Sequence, residues 1–357
     1  MTASRIPGLD ALRGLAALLV LAYHARGLAL PQAALAHGYL AVDLFFVISG
    51  FVLARAYGAG LAMGEGARFM IRRLKRLYPM ALLGLLLGAA IWLARGRDPT
   101  SMVVLMMFGL VFVPFTAGSD AFPLNGPQWS LMWELAANLV YAFVAPWLTT
   151  RRLVLLVVVG GVAHAVLVVA RGTGSLGHDG PTWWTGAPRV IFGFFAGVLL
   201  ARLAAEGRLK VPATPIIAIL AAVVLVLSPP VPEGARAAFD LVAALAILPL
   251  LVASAAQVTV QATVGRLRPL LDGLAGISYA LYALHIPIIR ALDHIARGLP
   301  DGWTRWSVNA LAIPLALGAA WAAHRWFEPR AAKALRKKPL GGEVQGLSTS
   351  APSSSTL

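Results

Sequence analysis

The chain has 357 residues, is 59% hydrophobic and has a mean hydropathy of +0.77, while only 13% of its residues are charged. A soluble domain would hold about twice that share of charge, so a water-soluble fold is excluded and the formal charge of +15 is read as membrane topology, not as nucleic-acid binding. No cysteine is present, which rules out disulfides, thiolate metal sites and a cysteine nucleophile.

Apolar runs recur at about 14–21, 39–54, 77–94, 101–117, 135–148, 153–170, 190–205, 213–228, 237–256, 274–292 and 308–323. With flanking residues, each approaches the ~20 residues needed to cross ~30 Å of hydrocarbon. The pattern predicts an all-α, polytopic membrane helical bundle over residues 1–338. A Gly-, Ser-, Thr- and Pro-rich tail, 339–357, is expected to be disordered.

The first run contains Arg13 and His24. Eleven residues are nearly three helical turns, so both side chains share one face, roughly 16 Å apart along the axis. A cation or an imidazole inside a membrane segment costs something like 2–3 kcal/mol. Two on one stripe therefore predict one wall of a polar pathway. The same stretch has the outline of a signal peptide, with Arg5, an apolar core and Ala34-Leu35-Ala36. Arg13 and His24 interrupt that core, and cleavage would discard both.

Basic residues then gather in short loops: Arg68, Arg72, Arg73, Lys75 and Arg76, then Arg151/Arg152, Arg208/Lys210 and Arg266/Arg268. A last group is Arg330, Lys333, Arg336, Lys337 and Lys338. All fall on the cytoplasmic side only if one run between 95 and 130 fails to cross. The run 101–117, which contains or abuts Pro99 and Pro114, is expected to be re-entrant or incomplete. Ten crossings remain, with both termini cytoplasmic.

In this topology Arg13 and the Arg72, Arg73 and Arg76 group lie on the cytoplasmic side. His24, Asp43, Glu134 and His285 lie toward the outer side. Guanidinium groups pair bidentately with phosphate, so the first set suits a polyanionic ligand arriving from the cytosol. Histidine titrates near neutral pH and a carboxylate can fix its tautomer, so the second set suits proton abstraction from an acceptor. Plainer readings stand beside these. The arginine run is also a stop-transfer flank, and Asp43 and Glu134 are also interhelical glue or helix caps. His164 reads as packing. His37, His178, His294 and His324 lie near loops or helix ends, and Trp183 and Trp184 read as interfacial belt residues. No two histidines have metal-ligand spacing, and neither a GxSxG elbow nor a P-loop occurs.

Taken in order, six segments resemble the membrane-bound acyltransferase-3 family over residues 5–330. "GLDALRGLAALLVLAYH" is similar to its opening block, an Arg, ten residues and then the active-site His, which maps these to Arg13 and His24. "GYLAVDLFFVISGFVLA" matches the second block, with Asp43, Phe46, Ser49 and Gly50. "RFMIRRLKRLYP" matches the third, whose Arg-x-x-Arg maps to Arg73 and Arg76. "WSLMWELAANLVYA" matches the block with Trp129, Ser130 and Glu134, and "ISYALYALHIPII" the late block with Tyr279, Tyr282, His285 and Pro287. "WFEPRA" matches the ending. One departure is Leu135, where many members carry a second acidic residue; a role requiring a carboxylate pair is thereby in doubt.

The resemblance implies an integral-membrane O-acyltransferase in a bacterial cytoplasmic (inner) membrane. It implies transfer from acyl-CoA, commonly acetyl-CoA, to a hydroxyl of a carbohydrate, lipid or macrolide-like acceptor, as in polysaccharide O-acetylation. No permanently bound cofactor is expected; acyl-CoA is a substrate. His24 is expected as general base or acyl carrier, oriented by Asp43 or Glu134. Arg73 and Arg76, with Arg72, are expected to hold CoA phosphates, and the pantetheine arm to pass Arg13. Ser49, Trp129, Ser130, Tyr279, Tyr282 and His285 are expected to line the pore or acceptor path. The rival classes are a proton-coupled transporter or flippase, which buried His and carboxylates also suit, and a structural envelope protein, which leaves the polar stripe unexplained.

Overall fold

The computed structural model describes residues 6–57, 61, 65–212, 214–258 and 262–336. The expected tail at 339–357 lies outside them. Within these residues fourteen α-helices follow in order: α1 Pro7–His24, α2 Ala41–Tyr57, α3 Gly66–Ala94, α4 Pro99–Leu110, α5 Gln128–Val144, α6 Thr150–Arg171, α7 Gly186–Ala205, α8 Ile216–Leu227, α9 Glu233–Val242, α10 Leu248–Ala256, α11 Ala262–Arg297, α12 Trp303–Ala310, α13 Ala312–Ala322 and α14 Glu328–Arg336. One π-helical turn, Ala243–Ile247, joins α9 to α10 and another, Ala323–Phe327, joins α13 to α14. Among the described residues there is no β-strand, as an all-α membrane bundle requires.

Among the described residues, seven helical segments are long and apolar enough to cross a membrane. The remaining apolar helices are shorter or more polar. α1 carries Asp10 and Arg13 in its 18 residues, α5 has 17 residues and α8 has 12. α4 is also 12 residues long, about 18 Å at 1.5 Å per residue, well short of a ~30 Å core. Its start is fixed by Asp98, which accepts a hydrogen bond from the Ser101 amide at 2.7 Å; that bond holds the exposed carboxyl below its usual range. Its end is fixed by Phe112, in the left-handed region at φ 54°, two residues before Pro114. These two features make 101–117 an incomplete segment.

α2 packs along α7, and α1 along α11. The α2–α7 contact is close because glycines face it. A Cβ on Gly50 would fall on the Phe194 carbonyl oxygen, and one on Gly197 on that of Val47. Small residues allow this backbone approach where lipid removes the hydrophobic drive between helices. α6 shows lipid its Leu155, Val158, Val162, Val166 and Val169, each more than half exposed.

α1 and α11 run parallel. Arg13 touches α11 at Ala275, Gly14 lies against Leu274 and Ala275, and His24 meets His285. The eleven-residue interval on α1 thus answers a ten-residue interval on α11, and this register positions the site.

Candidate active site

One side of α11 carries a ladder of polar contacts that reach α1 twice, α3, α5 and the loop before α5. At the lowest rung, Arg13 Nη2 donates to the Ala275 carbonyl at 3.1 Å and pairs with Asp10 one turn back at 3.3 Å. One turn on, the Tyr279 hydroxyl donates to the Leu77 carbonyl of α3. The Tyr282 and Ser130 hydroxyls then lie 2.5 Å apart. His285 follows with His24. Last, Arg290 donates to the Pro123 carbonyl and pairs with Asp120 at 3.3 Å. From residue 275 to residue 290 the helix rises about 22 Å, most of a bilayer core.

The His24–His285 rung has a definite hydrogen-bond sense. His285 Nδ1 lies 2.8 Å from the Tyr282 carbonyl and 3.1 Å from that of Leu281. A carbonyl only accepts, so His285 Nδ1 carries the proton and its Nε2 is a lone pair. That lone pair lies 3.3 Å from His24 Nδ1, which in turn is 2.9 Å from the Val20 carbonyl. His24 Nδ1 therefore donates to both, leaving His24 Nε2 unprotonated. This tautomer assignment follows from the partners, not from observed hydrogens. His24 is the last residue of α1 and is exposed, whereas His285 is buried.

Neither carboxylate expected to orient His24 does so. Both oxygens of Asp43 are taken by Arg189, Nε to Oδ1 at 2.9 Å and Nη2 to Oδ2 at 2.8 Å. Arg189 is only 2% exposed and also donates to the Leu176 and Tyr39 carbonyls. Its guanidinium lies 5.4 Å from the Trp129 ring centre, which ties that expected pore residue to the same buried pair. Glu134 Oε1 accepts from Arg73 at 2.7 Å and from Ser49 at 2.8 Å. The orienting groups for His24 are instead His285 and the Val20 carbonyl.

The Arg73–Glu134 contact also corrects the expected separation of cations on the inner side from carboxylates on the outer side. Arg73 lies two turns into a 29-residue α3 and turns inward, buried at 8% exposure. Arg72 and Arg76, one residue before and three after, point out and are exposed; the Arg72 guanidinium lies 5.5 Å from the Tyr57 ring centre. Of the expected phosphate-binding group, these two are the accessible guanidinium groups.

A second buried network, with no counterpart in the sequence patterns, centres on Asp240. His37 Nδ1 lies 2.7 Å from Asp240 Oδ1, and Asp240 Oδ2 accepts from the Tyr39 hydroxyl at 2.6 Å and from the Gly174 amide at 2.7 Å. The Tyr39 carbonyl in turn accepts from Arg189. Asp240 and Arg189 each lie in or beside an apolar run, and that was the available signal. Their partners are 203 and 146 residues away in sequence, a pairing no local pattern reveals.

A family model described as an acyltransferase domain matches residues 6–325. The chain belongs to the acyltransferase-3 family. It is 29% identical over 353 residues to the acyltransferase MdmB of Streptomyces mycarofaciens, covering 88% of this chain and 87% of MdmB. It is 39% identical over 181 residues to protein 2 in the picA locus of Rhizobium radiobacter, covering 45% of this chain and 92% of that protein. Against YrhL of Bacillus subtilis, provisionally named a peptidoglycan O-acetyltransferase, identity is 29% over 160 residues, spanning 40% of this chain and 23% of the relative. No solved structure matches. The protein is thus a multi-pass membrane acyltransferase by family.

Proposed function

We propose that this acyltransferase moves an acyl group, acetyl in the simplest case, from cytosolic acyl-CoA to a hydroxyl of a glycan, lipid or macrolide-like acceptor. The observation that carries the reading is His24 itself. It is an exposed imidazole with its Nδ1 proton held by two acceptors and its Nε2 lone pair left for a substrate proton.

In this reading the acceptor hydroxyl gives its proton to His24 Nε2 as its oxygen bonds to the thioester carbonyl carbon. The carbon–sulfur bond breaks, and the CoA thiolate leaves and takes that proton from the imidazolium. The His24 charge that arises in between is shared through Nδ1–H with the Val20 carbonyl, the His285 lone pair and the C-terminal end of α1, where a cation is favoured. General-base help of this kind is worth about 10²–10⁴-fold. Arg72 and Arg76 hold the CoA phosphates at the cytoplasmic mouth, and Arg13 lines the way between mouth and His24. Arg73 acts through Glu134, holding α3 to α5 and, through Ser49, to α2. The bacterial relatives and the loop charges support a cytoplasmic-membrane location with both termini inside.

The test is full-length protein in proteoliposomes supplied with isotopically labelled acetyl-CoA, together with extracts from cells with and without the protein. Release of CoA thiol, with label on a hydroxyl identified by mass spectrometry, is the expected result. Proton or substrate flux across the vesicle with no acylated product would make the chain a transporter instead.

A further inference from the structure

We propose that the acceptor is anionic, carrying a phosphate or carboxylate beside the hydroxyl that is acylated, and that it binds in the cavity beyond the His24–His285 rung; this rests on the acyltransfer reading above. The cavity has a volume of about 550 Å³ and lies between the end of α3, the start of α4, the loop at 115–124 and α11. Pro287 and Arg290 form its α11 wall. Arg290 is five residues past His285, about 7.5 Å of helix rise, which places the cavity about one and a half turns of α11 beyond the residue that holds His24.

The charge of this cavity is unbalanced. Arg95, Arg97 and Arg290 all line it, against the single lining carboxylate of Asp120. Asp120 is engaged by Arg290 at 3.3 Å. Among the described residues neither Arg95 nor Arg97 forms an ion pair. The Arg97 guanidinium lies 4.6 Å from the ring centre of Trp92, another lining residue. The neighbouring carboxylate, Asp98, is turned to the Ser101 amide. Arg95 and Arg97 thus add two positive charges beside the Arg290–Asp120 pair on one partly open cavity, a balance that favours an anion there. Arginine forks suit phosphate and carboxylate oxygens in paired geometry. Ser101, at the start of α4, adds a hydroxyl to the lining.

The test is titration of full-length protein with glucose 1-phosphate, glucuronate and glucose in phosphatidylcholine nanodiscs, and in matched nanodiscs that also contain phosphatidylglycerol. Either anionic probe should bind at least tenfold more tightly than glucose, and its affinity should fall as salt rises. The phosphate and carboxylate probes distinguish the two headgroup chemistries. Arg95→Gln with Arg97→Gln should weaken the anionic probe tenfold or more without loss of folded protein, because Arg95 is only half-buried and Arg97 exposed. His24→Ala should leave probe binding unchanged. Equal affinity for glucose and both anions, or full anion affinity in the double variant, would overturn the proposal. So would response only to phosphatidylglycerol in the nanodisc, which would make the arginines a lipid-headgroup contact. Anion binding without any His24-dependent acyl transfer would uphold the site and defeat the functional reading, so the two failures are distinguishable.

Discussion

His24 Nδ1 and His285 Nε2 lie 3.3 Å apart, with ring centres 5.0 Å apart and planes tilted by 51°. Because His285 Nδ1 already donates to a backbone carbonyl, the shared hydrogen bond runs one way, from His24 to His285. A neutral imidazole therefore does for His24 what a carboxylate does in many catalytic dyads: it fixes the tautomer that leaves Nε2 free. Its lone pair avoids burying an additional negative charge in the bilayer.

His285→Phe should lower turnover per mole of inserted protein roughly tenfold or more, the scale of losing about 1.5 kcal/mol of hydrogen bonding to a developing charge. Donor binding should be unchanged. His285→Gln should recover part of the loss, because its amide oxygen can accept from Nδ1–H. Steady-state rates of the two variants check this, and wild-type turnover in His285→Phe would reduce the ring pair to packing.

Asp43→Asn should act on stability instead of chemistry. It leaves Arg189 buried with its bidentate partner neutralised, and breaking a buried pair from one side costs about 3–5 kcal/mol. The yield of inserted protein and its unfolding temperature in detergent should both drop. Specific activity of the surviving fraction should stay near wild type. A large fall in specific activity with normal stability would return Asp43 to the catalytic machinery.

The arginines of α3 should separate by orientation. Arg76→Ala, at an exposed position, should weaken CoA binding by about 1–3 kcal/mol, the range of a charge-assisted hydrogen bond. The fold should remain intact. Glu134→Gln should do the reverse, lowering the unfolding temperature by loosening the 2.7 Å contact with Arg73 while CoA affinity is retained. Calorimetric binding and thermal unfolding on the same preparations distinguish the pattern.

Much of this architecture was legible in the sequence, for specific reasons. The apolar runs gave the helical class, and the short run between Pro99 and Pro114 gave the incomplete α4. The spacing of Arg13 and His24 put both on the face that meets α11. The partners were not legible. The resemblance offers Asp43 and Glu134 as orienting groups for His24, whereas in the fold both carboxylates hold arginines. Which carboxylate reaches which base depends on interhelical register, and that is set by contacts such as Gly50 on Phe194 and Gly14 on Leu274. Arg189 stands just before an apolar run, where a cation is ordinary. Only the fold shows that it is enclosed. The same holds for Arg73, indistinguishable from Arg72 and Arg76 in a basic run, yet the one of the three turned inward.

The central claim is that His24 Nε2 is the base that activates the acceptor, and it is tested most directly by His24→Ala in full-length, membrane-inserted protein. Acyl transfer is measured per mole of folded protein, alongside CoA binding to the same sample. The account predicts a loss of at least about 10²-fold in transfer, as expected for removal of a general base, with insertion and CoA affinity retained because the donor groups lie roughly 16 Å away or farther along the bundle. Normal specific activity in His24→Ala would contradict it.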